Sequence, residues 1–369
     1  MTSAAAACAG DGVTVETNLT KDHKDIMVAA LTANPAQYSS VVVSNSTLVT
    51  LMNDGLVRPL DEMVAKHGAA LSKSQLITVN GKVMAVAFMA NAQHLFSRTD
   101  VLEAAGVDGI PATYEDVLAA AEKIRAAGLM DYPVALNTKA GWNLAEEFVN
   151  MYMGTGADFF KSGTAEAAVN NENGVATLEM LKSLVAYSNP DYLTYDSNAT
   201  QAEWEAGNLA LATMWGSRGS AVLDDEGSTA EVVSGTVLSA APTWGNGARP
   251  ASTLWWDGIA ISTNVSDEDA EATFVAMMNG ISSDVVKANN DAAVWLDGAY
   301  MPSPASAGVS STAAGGAAPY PMLPFMGALH TALGAEITDF LQGSESAKQA
   351  LADVEAAYTA AAKEQGFLN

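Results

Sequence analysis

The sequence predicts an α/β protein of two domains, and three observations support this prediction. The chain has 369 residues, enough for two domains with complete cores. Hydrophobic residues make up 49% of it, a proportion typical of globular proteins. Short β-branched runs alternate with helical patterns along the chain, which favours helices layered on largely parallel sheets.

The first part of the chain shows both patterns. Residues 13–16 (VTVE) alternate β-branched and polar side chains, which is typical of a short strand. Residues 39–44 (SSVVVS) form a continuous apolar run, which is typical of a buried strand. Further elements are predicted as helices over 24–33 and 47–54 and as a strand over 81–88.

The helix predicted over 113–127 has the clearest boundaries. Thr113 is a preferred N-cap residue, Asp116 follows three positions later, and Gly128 suits the position after a helix end. Downstream elements are predicted as strands over 132–136, 209–215 and 254–262 and as helices over 143–152, 171–187, 200–208, 267–280 and 284–293. The final part is predicted as an extended crossing over 298–304, a loop over 306–316, and helices over 326–342 and 346–364.

Charge and motif content exclude several function classes. A net charge of −25 repels nucleic acid and anionic lipid. The sequence lacks the P-loop, GxGxxG, GxSxG, SxxK and HExxH patterns, and its four histidines are scattered, so we expect neither an enzyme nor a metal or cofactor site. The adjacent acids Glu146 and Glu147 indicate a solvated helix face. A single cysteine, Cys8, rules out an internal disulfide.

The N-terminal stretch 1–12 is interpreted as an unstructured remnant of a signal region. Residues 1–10 read MTSAAAACAG, with small residues before Cys8 but neither a basic segment nor an apolar run. The export signal is therefore not intact in this stretch. Lipidation of Cys8 is the alternative interpretation.

Five stretches together resemble the family 1 extracellular solute-binding proteins of bacterial ABC importers, the maltodextrin- and sugar-binding type. They are 39–61 (SSVVVSNSTLVTLMNDGLVRPLD), 80–97 (NGKVMAVAFMANAQHLFS), 101–123 (VLEAAGVDGIPATYEDVLAAAEK), 210–219 with 254–262, and 298–304 with 343–350. Their order and spacing match the family over roughly residues 13–365.

The resemblance implies a two-lobed periplasmic-binding-protein fold (type II-like) that lacks the first strand and helix of lobe 1. Lobe 1 is expected over 13–91 and 259–299 and lobe 2 over 92–258 and 300–369, with hinge crossings near 90–93, 251–261 and 300–304. The lobes are expected to close on a small-molecule ligand. The resemblance further implies a monomer at the periplasmic or extracytoplasmic face, with the transmembrane subunits of an ABC permease as its partner.

Candidate ligand-binding residues follow from what a sugar offers, namely apolar ring faces and a fringe of hydroxyls. In Trp255–Trp256–Asp257 only one indole can face a ligand, since neighbouring strand residues point to opposite faces. Trp142 opens a helix, and Trp215 leads into a turn with Ser217 and Arg218. The remaining candidates are Asn45, Ser46 and Thr47 at a helix start, Asn91 and Gln93 at the first crossing, and Tyr300 at the last. Trp204 and Trp244 are assigned to packing.

These residues leave more than one function open. The first is a receptor for a sugar, sugar alcohol or sugar acid. A receptor for a polyamine or betaine is the alternative, because Trp side chains with Asp257 suit cation–π binding, whereas Arg218 counts against it. A glycosidase needs two facing carboxylates, which the sequence does not indicate. The absent first strand also leaves open a truncated, non-binding paralogue.

Overall fold

The computed structural model describes residues 6–8, 14–20, 23–245 and 247–369, with the backbone alone at 24 and 25. It confirms the α/β class, with helices packed on mixed sheets. Among the described residues, none of the helices is both long enough and apolar enough to cross a membrane.

The chain divides into two compact units. Unit 1 comprises 1–91, 255–302 and 320–324, and unit 2 comprises 92–254, 303–319 and 325–369. Two features differ from the sequence-based boundaries. The second crossing falls between Leu254 and Trp255, which places the Trp-Trp-Asp segment in unit 1. The short segment 320–324 also belongs to unit 1. Five residues are too few to show a helix or strand periodicity, so the sequence does not predict this segment.

The helices and strands have the following bounds along the chain. Those up to the end of the first crossing strand are α1 (His23–Thr32), β1 (Ser40–Ser44), α2 (Asn45–Asn53), α3 (Asp61–His67), β2 (Leu76–Val79) and β3 (Lys82–Arg98). The next are α4 (Thr99–Ala104), α5 (Tyr114–Ala126), β4 (Val134–Ala135), α6 (Trp142–Gly154), α7 (Glu172–Val185), α8 (Ser197–Glu205), β5 (Leu211–Trp215), α9 (Gly219–Val222), α10 (Ala230–Gly235) and β6 (Thr236–Ser239). The last are β7 (Thr253–Ile261), α11 (Asp267–Gly280), α12 (Ser283–Ala288), β8 (Val294–Trp295), α13 (Ala307–Ala314), β9 (Ala318–Pro319), α14 (Met326–Glu336), α15 (Thr338–Leu341) and α16 (Ala347–Glu364).

The sheet of unit 1 is built on the first half of β3. β1 pairs antiparallel with β7, with Val42 opposite Ile259, and β7 in turn neighbours β3. β2 and β8 pair antiparallel with β3. Apolar side chains close both faces of this sheet, including Leu48, Leu51, Phe88 and Phe274. β7 and α2 are thereby held together at the end of β1.

The sheet of unit 2 has the second half of β3 at its centre. β5 and β6 both pair antiparallel with β3, and β4 adds to β5 in parallel. Gln93 lies directly opposite Trp215 in the β3–β5 register, so two of the predicted binding residues are cross-strand neighbours.

Three expectations require correction. The sheets are mostly antiparallel rather than parallel, because the two long strands β3 and β7 run against most of their neighbours. Residues 14–16 are not in a strand, and residue 13 lies outside the described residues. The segment 306–316 contains helix α13, since Ala-rich sequence forms a helix readily and Val309 and Thr312 bury one side of it.

Candidate functional site

The aromatic platform of unit 2 consists of Trp142, Trp215 and His330. The indoles of Trp142 and Trp215 have ring centroids 6.4 Å apart and planes 25° apart, and the imidazole of His330 stacks on Trp142 at 4.9 Å. Trp142 is the exposed member, at 36% of its surface. The platform therefore presents a flat, partly accessible apolar surface.

Helix packing brings His330 to Trp142. Gly141 has a positive φ of 96° just before α6, and its carbonyl oxygen would lie 2.5 Å from a Cβ added at Gly334 of α14. Only a glycine at position 334 permits this approach, since real Cβ atoms do not come so close. One turn earlier on α14, Nε2 of His330 donates a hydrogen bond to the carbonyl oxygen of Trp142 at 3.0 Å.

The turn after β5 places the polar candidates beside the platform residue Trp215. Gly216–Arg218 forms a 3₁₀ turn with Ser217 exposed and Arg218 half-buried. Nη1 of Arg218 donates to Oε1 of Gln201 on α8 at 3.0 Å. Burial lowers the pKa of Arg218, and the nearby carboxylates of Asp196 and Glu205 oppose that shift. The guanidinium is thus oriented by a neutral amide.

In unit 1, Asn45 and Thr47 have structural contacts. Asn45 is fully buried, and its Oδ1 accepts a hydrogen bond from the backbone N–H of Trp256 at 3.0 Å. Oγ1 of Thr47 accepts from the N–H of Ser44 at 2.8 Å and so caps α2. Ser46, next to them, is half-buried. Asn45 therefore ties the start of α2 to the Trp-Trp-Asp segment of β7.

The two indoles of β7 point to opposite faces, as strand geometry requires. Trp256 packs against the core cluster that contains Val43, Leu48 and Leu51. Trp255 lies on the other face, where its ring is 4.4 Å from that of Tyr320 at a 37° tilt. Trp255 is buried at 7% exposure and Trp256 is half-buried, so both indoles make packing contacts within unit 1.

The other predicted residues are placed as follows. Asp257 is half-buried opposite Ser44, and Asn91 is half-buried in β3. Gln93 is buried at 3% exposure beside Glu147. Tyr300 packs against the second core cluster of unit 1.

Trp204 and Trp244 are buried, as predicted. Their indole N–H groups donate to Oγ1 of Thr236 and to the carbonyl oxygen of Met151, respectively.

The interpretation of Glu146 and Glu147 as a solvated face is wrong. Both are buried within α6, at 0% and 1% exposure. Ten residues of this 13-residue helix are buried, so it is covered on nearly every side and no exposed acidic face exists. His330 and Tyr320 carry no signal in the sequence, because neither stands in a motif and both meet their partners only through tertiary packing.

A cavity of about 540 Å³ in unit 1 is distinct from these residues. Its walls are largely apolar and include Val42, Phe88, Ile259 and Met277. None of the predicted binding residues lines it. Among the described residues, no group of three or more His, Cys, Asp or Glu side chains is arranged to hold a metal ion.

Comparisons with known proteins agree with this architecture. The family model described as bacterial extracellular solute-binding protein matches residues 10–282. A protein of Deinococcus radiodurans named "Probable ABC transporter-binding protein" is 26% identical over 208 residues, which are 55% of this chain and 49% of that protein. The match thus spans about half the length of this curated relative.

Solved structures of low sequence identity share the fold. An ABC transporter solute-binding protein from Agrobacterium radiobacter K84, in complex with ribitol, is 20% identical with a TM-score of 0.79 over 92% of this chain and 88% of that one. One from Agrobacterium vitis S4, with bound D-mannitol, is 20% identical with a TM-score of 0.78 over 95% and 91%. A sugar transporter from Arthrobacter chlorophenolicus A6, with bound laminaribiose, is 18% identical with a TM-score of 0.77 over 97% and 95%. Because the family model covers well over half of the sequence, the chain belongs to the bacterial extracellular solute-binding protein family.

Proposed function

We propose that this protein binds a carbohydrate or polyol and delivers it to the membrane permease of an ABC importer, acting as a monomer outside the cytoplasm. The observation that carries this proposal is the aromatic platform, where the exposed indole of Trp142 stacks with Trp215 and His330. The C–H face of a sugar ring packs well on a flat aromatic surface of this kind.

The polar groups next to the platform suit hydroxyl groups. The hydroxyl of Ser217 is exposed, and the guanidinium of Arg218 is held in the same turn. The hydroxyl donates and accepts hydrogen bonds and the guanidinium donates them, and neither group requires a charged ligand. Arg218 also disfavours a polyamine or betaine at this face, because like charges repel.

In unit 1, we propose Trp255 and Asp257 as ligand contacts, with Tyr320 supporting Trp255. The 4.4 Å contact between the rings of Trp255 and Tyr320 fixes the indole plane. The relatives crystallised with ribitol, D-mannitol and laminaribiose support a neutral polyhydroxyl ligand.

A thermal-shift screen tests the proposal. Ribitol, D-mannitol, laminaribiose and maltose form one arm, and spermidine and glycine betaine form the other. A ligand at a hundred times its Kd stabilises the folded state by about 2.7 kcal/mol, a clear rise in Tm. Stabilisation by at least one carbohydrate supports the proposal. Stabilisation by spermidine or glycine betaine alone would overturn the proposal. No response in either arm would indicate a non-binding paralogue.

A further inference from the structure

Two adjacent carboxyl groups lie in the interior of unit 2. Glu146 and Glu147 on α6 are at most 1% exposed. A buried carboxylate is costly unless surrounding groups compensate it. Their partners therefore show what these side chains hold in place.

Glu147 lies beneath the sheet residues that carry the binding face. Its Oε1 accepts the backbone N–H of Asn137 at 3.0 Å, and Nδ2 of Asn137 donates to the carbonyl of Thr213 at 3.3 Å. The side chains of Gln93 and Thr213 also approach the carboxyl group closely enough to favour its ionised form. However, neither Nε2 of Gln93 nor Oγ1 of Thr213 makes a hydrogen bond of standard geometry.

Each of these partners is linked to a platform residue. Thr213 lies two positions before Trp215 on β5, so both side chains project from the same face of the sheet. Gln93 is directly opposite Trp215 in the register. Asn137 lies in the segment that connects β4 to Trp142 at the start of α6. Neighbouring residues therefore link Glu147 to both indoles.

Glu146 anchors a different strand. Its Oε1 accepts the hydroxyl of Thr253 at 2.7 Å, and Oδ1 of Asn150, one turn along α6, accepts the backbone N–H of Thr253 at 2.7 Å. Glu146 thus contacts the start of β7, away from the Gln93, Asn137 and Thr213 group. It provides a matched comparison for Glu147, since both are buried glutamates on one helix.

We propose that Glu147 is a positioning residue for the aromatic platform and that it makes ligand binding by this face sensitive to pH near neutrality. This inference rests on the proposed carbohydrate-binding function. Glu147 lies beneath the platform, so its role is to set the positions of Trp142 and Trp215.

The electrostatics of the site support the geometry. Burial raises the pKa of Glu147 to about 7, with the Asn137 N–H as the main opposing influence. The titratable groups around it are Glu146 on its own helix and Tyr114 of α5, whose pKa is raised by burial and by the Glu147 charge. His94 projects from the opposite face of β3 to its neighbour Gln93 and stacks on Phe96.

Ionisation of Glu147 changes its hydrogen bonds with the neighbouring side chains. The protonated carboxyl group accepts the Asn137 N–H and leaves the nearby donors of Gln93 and Thr213 without a bond to it. The ionised group attracts both donors, because an unpaired buried charge is unfavourable. Since Thr213 and Gln93 border Trp215, we expect the platform to shift and affinity to fall as pH rises from 6 to 8.

Tryptophan fluorescence of the ligand-free protein, titrated from pH 5.5 to 8.5, tests the positioning role. The wild type and Glu146→Gln are expected to show a transition with a midpoint near 7. The Glu147→Gln variant retains an acceptor for Asn137 and should lack it. Because the imidazole of His330 also contacts Trp142, each variant is compared with the wild type, and the difference between the two titration curves is the quantity used. A transition unchanged in Glu147→Gln would overturn the inference.

Calorimetry with D-mannitol, or with whichever carbohydrate gives the largest thermal shift, tests the link to binding. The wild type should bind about twofold to fivefold more weakly at pH 8 than at pH 6, as expected for a pKa near 7 in the free state that is half to one unit higher in the bound state. Glu147→Gln should bind equally at both values. Equal affinity of the wild type at both pH values would contradict the inference even when binding itself is intact.

If no carbohydrate binds, the proposed function fails while the fluorescence test still decides the positioning role. Should Glu147→Gln fail to fold, Thr213→Val, which removes one donor, should raise the fluorescence midpoint, and an unchanged midpoint would count against the inference.

Discussion

The imidazole of His330 lies against the indole of Trp142, with ring centroids 4.9 Å apart and planes 26° apart, and donates a hydrogen bond to the same residue's carbonyl oxygen. Two contacts from one side chain hold both the ring and the backbone of Trp142. A preorganised aromatic surface binds a ligand with less loss of side-chain entropy than a freely rotating one. This pair is therefore central to the proposed binding face.

Replacing Trp142 by Ala should weaken carbohydrate binding. Loss of the stacking surface is expected to cost about 1–2 kcal/mol, or roughly fivefold to thirtyfold in Kd. Calorimetry with D-mannitol or the best ligand of the thermal screen measures the change. Tyr132→Ala is the matched control, because Tyr132 is an exposed aromatic of the same unit outside the platform. Equal affinities for wild type and Trp142→Ala would show that the platform is not the binding surface.

Conservative replacements should separate the two indoles of β7. Trp255→Phe is expected to lower affinity, since Trp255 lies on the Tyr320 face. Trp256→Phe is expected to lower the free energy of unfolding by roughly 1 kcal/mol, because it leaves space against the core cluster, with little effect on affinity. Urea unfolding and calorimetry on both variants provide the comparison. The reverse pattern would assign the binding role to Trp256.

His94 should make the protein sensitive to acid. Burial lowers the pKa of this histidine to about 4, from 6.5. The contribution of neutral His94 to the free energy of unfolding is complete above pH 6.5. It is lost as pH falls towards 4, because the unfolded state takes up the proton at a higher pH than the folded state. The loss amounts to about 3 kcal/mol. In urea unfolding at pH 7.5 and 4.5, His94→Gln should lose less stability on acidification than the wild type; an equal loss would contradict this assignment.

The His94 ring also restricts its neighbour Gly308 on α13. A Cβ at Gly308 would lie 2.1 Å from Nδ1 of His94, and that ring is buried and cannot move aside easily. Gly308→Ala should therefore destabilise the protein by roughly 1–3 kcal/mol. Gly327→Ala is the control, because position 327 of α14 is exposed and a Cβ there meets nothing within 4 Å, so the change should stabilise the protein by about 0.5–1 kcal/mol. Thermal unfolding of both variants distinguishes the clash from a general effect of replacing helical glycine.

Glu147 should act in the opposite direction to His94. Its pKa is about 7 in the folded state against 4.5 for an ordinary Glu. As pH rises, the unfolded state loses the Glu147 proton at a lower pH than the folded state. The contribution of protonated Glu147 to the free energy of unfolding is therefore complete below pH 4.5 and falls by about 3 kcal/mol as pH rises through 7. Urea unfolding of Glu147→Gln at pH 5 and 8 should show a smaller loss than the wild type. Parallel losses in both proteins would exclude an ionising Glu147.

Local sequence was sufficient for several elements. Thr113 caps α5, with its side chain accepting from the N–H of Asp116, and Gly128 adopts the positive φ expected after the helix end. The strand alternation of the Trp255–Trp256 pair also appears as predicted, with one ring on each face. These features depend on hydrogen bonds and backbone geometry within a few residues, which a sequence pattern encodes directly.

The sequence by itself determined the α/β class, the family resemblance and the choice of aromatic candidates, because each depends on residue type and spacing along the chain. The tertiary structure decided which of those candidates come together. From local sequence Glu146 and Glu147 resemble a surface pair, and only the packing around α6 buries them. His330 has no local signal, and its contact with Trp142 depends on Gly334, which allows α14 to pack closely on the start of α6. Contacts between residues 188 positions apart, such as His330 and Trp142, depend on how helices and strands pack, and no short-range pattern records that packing.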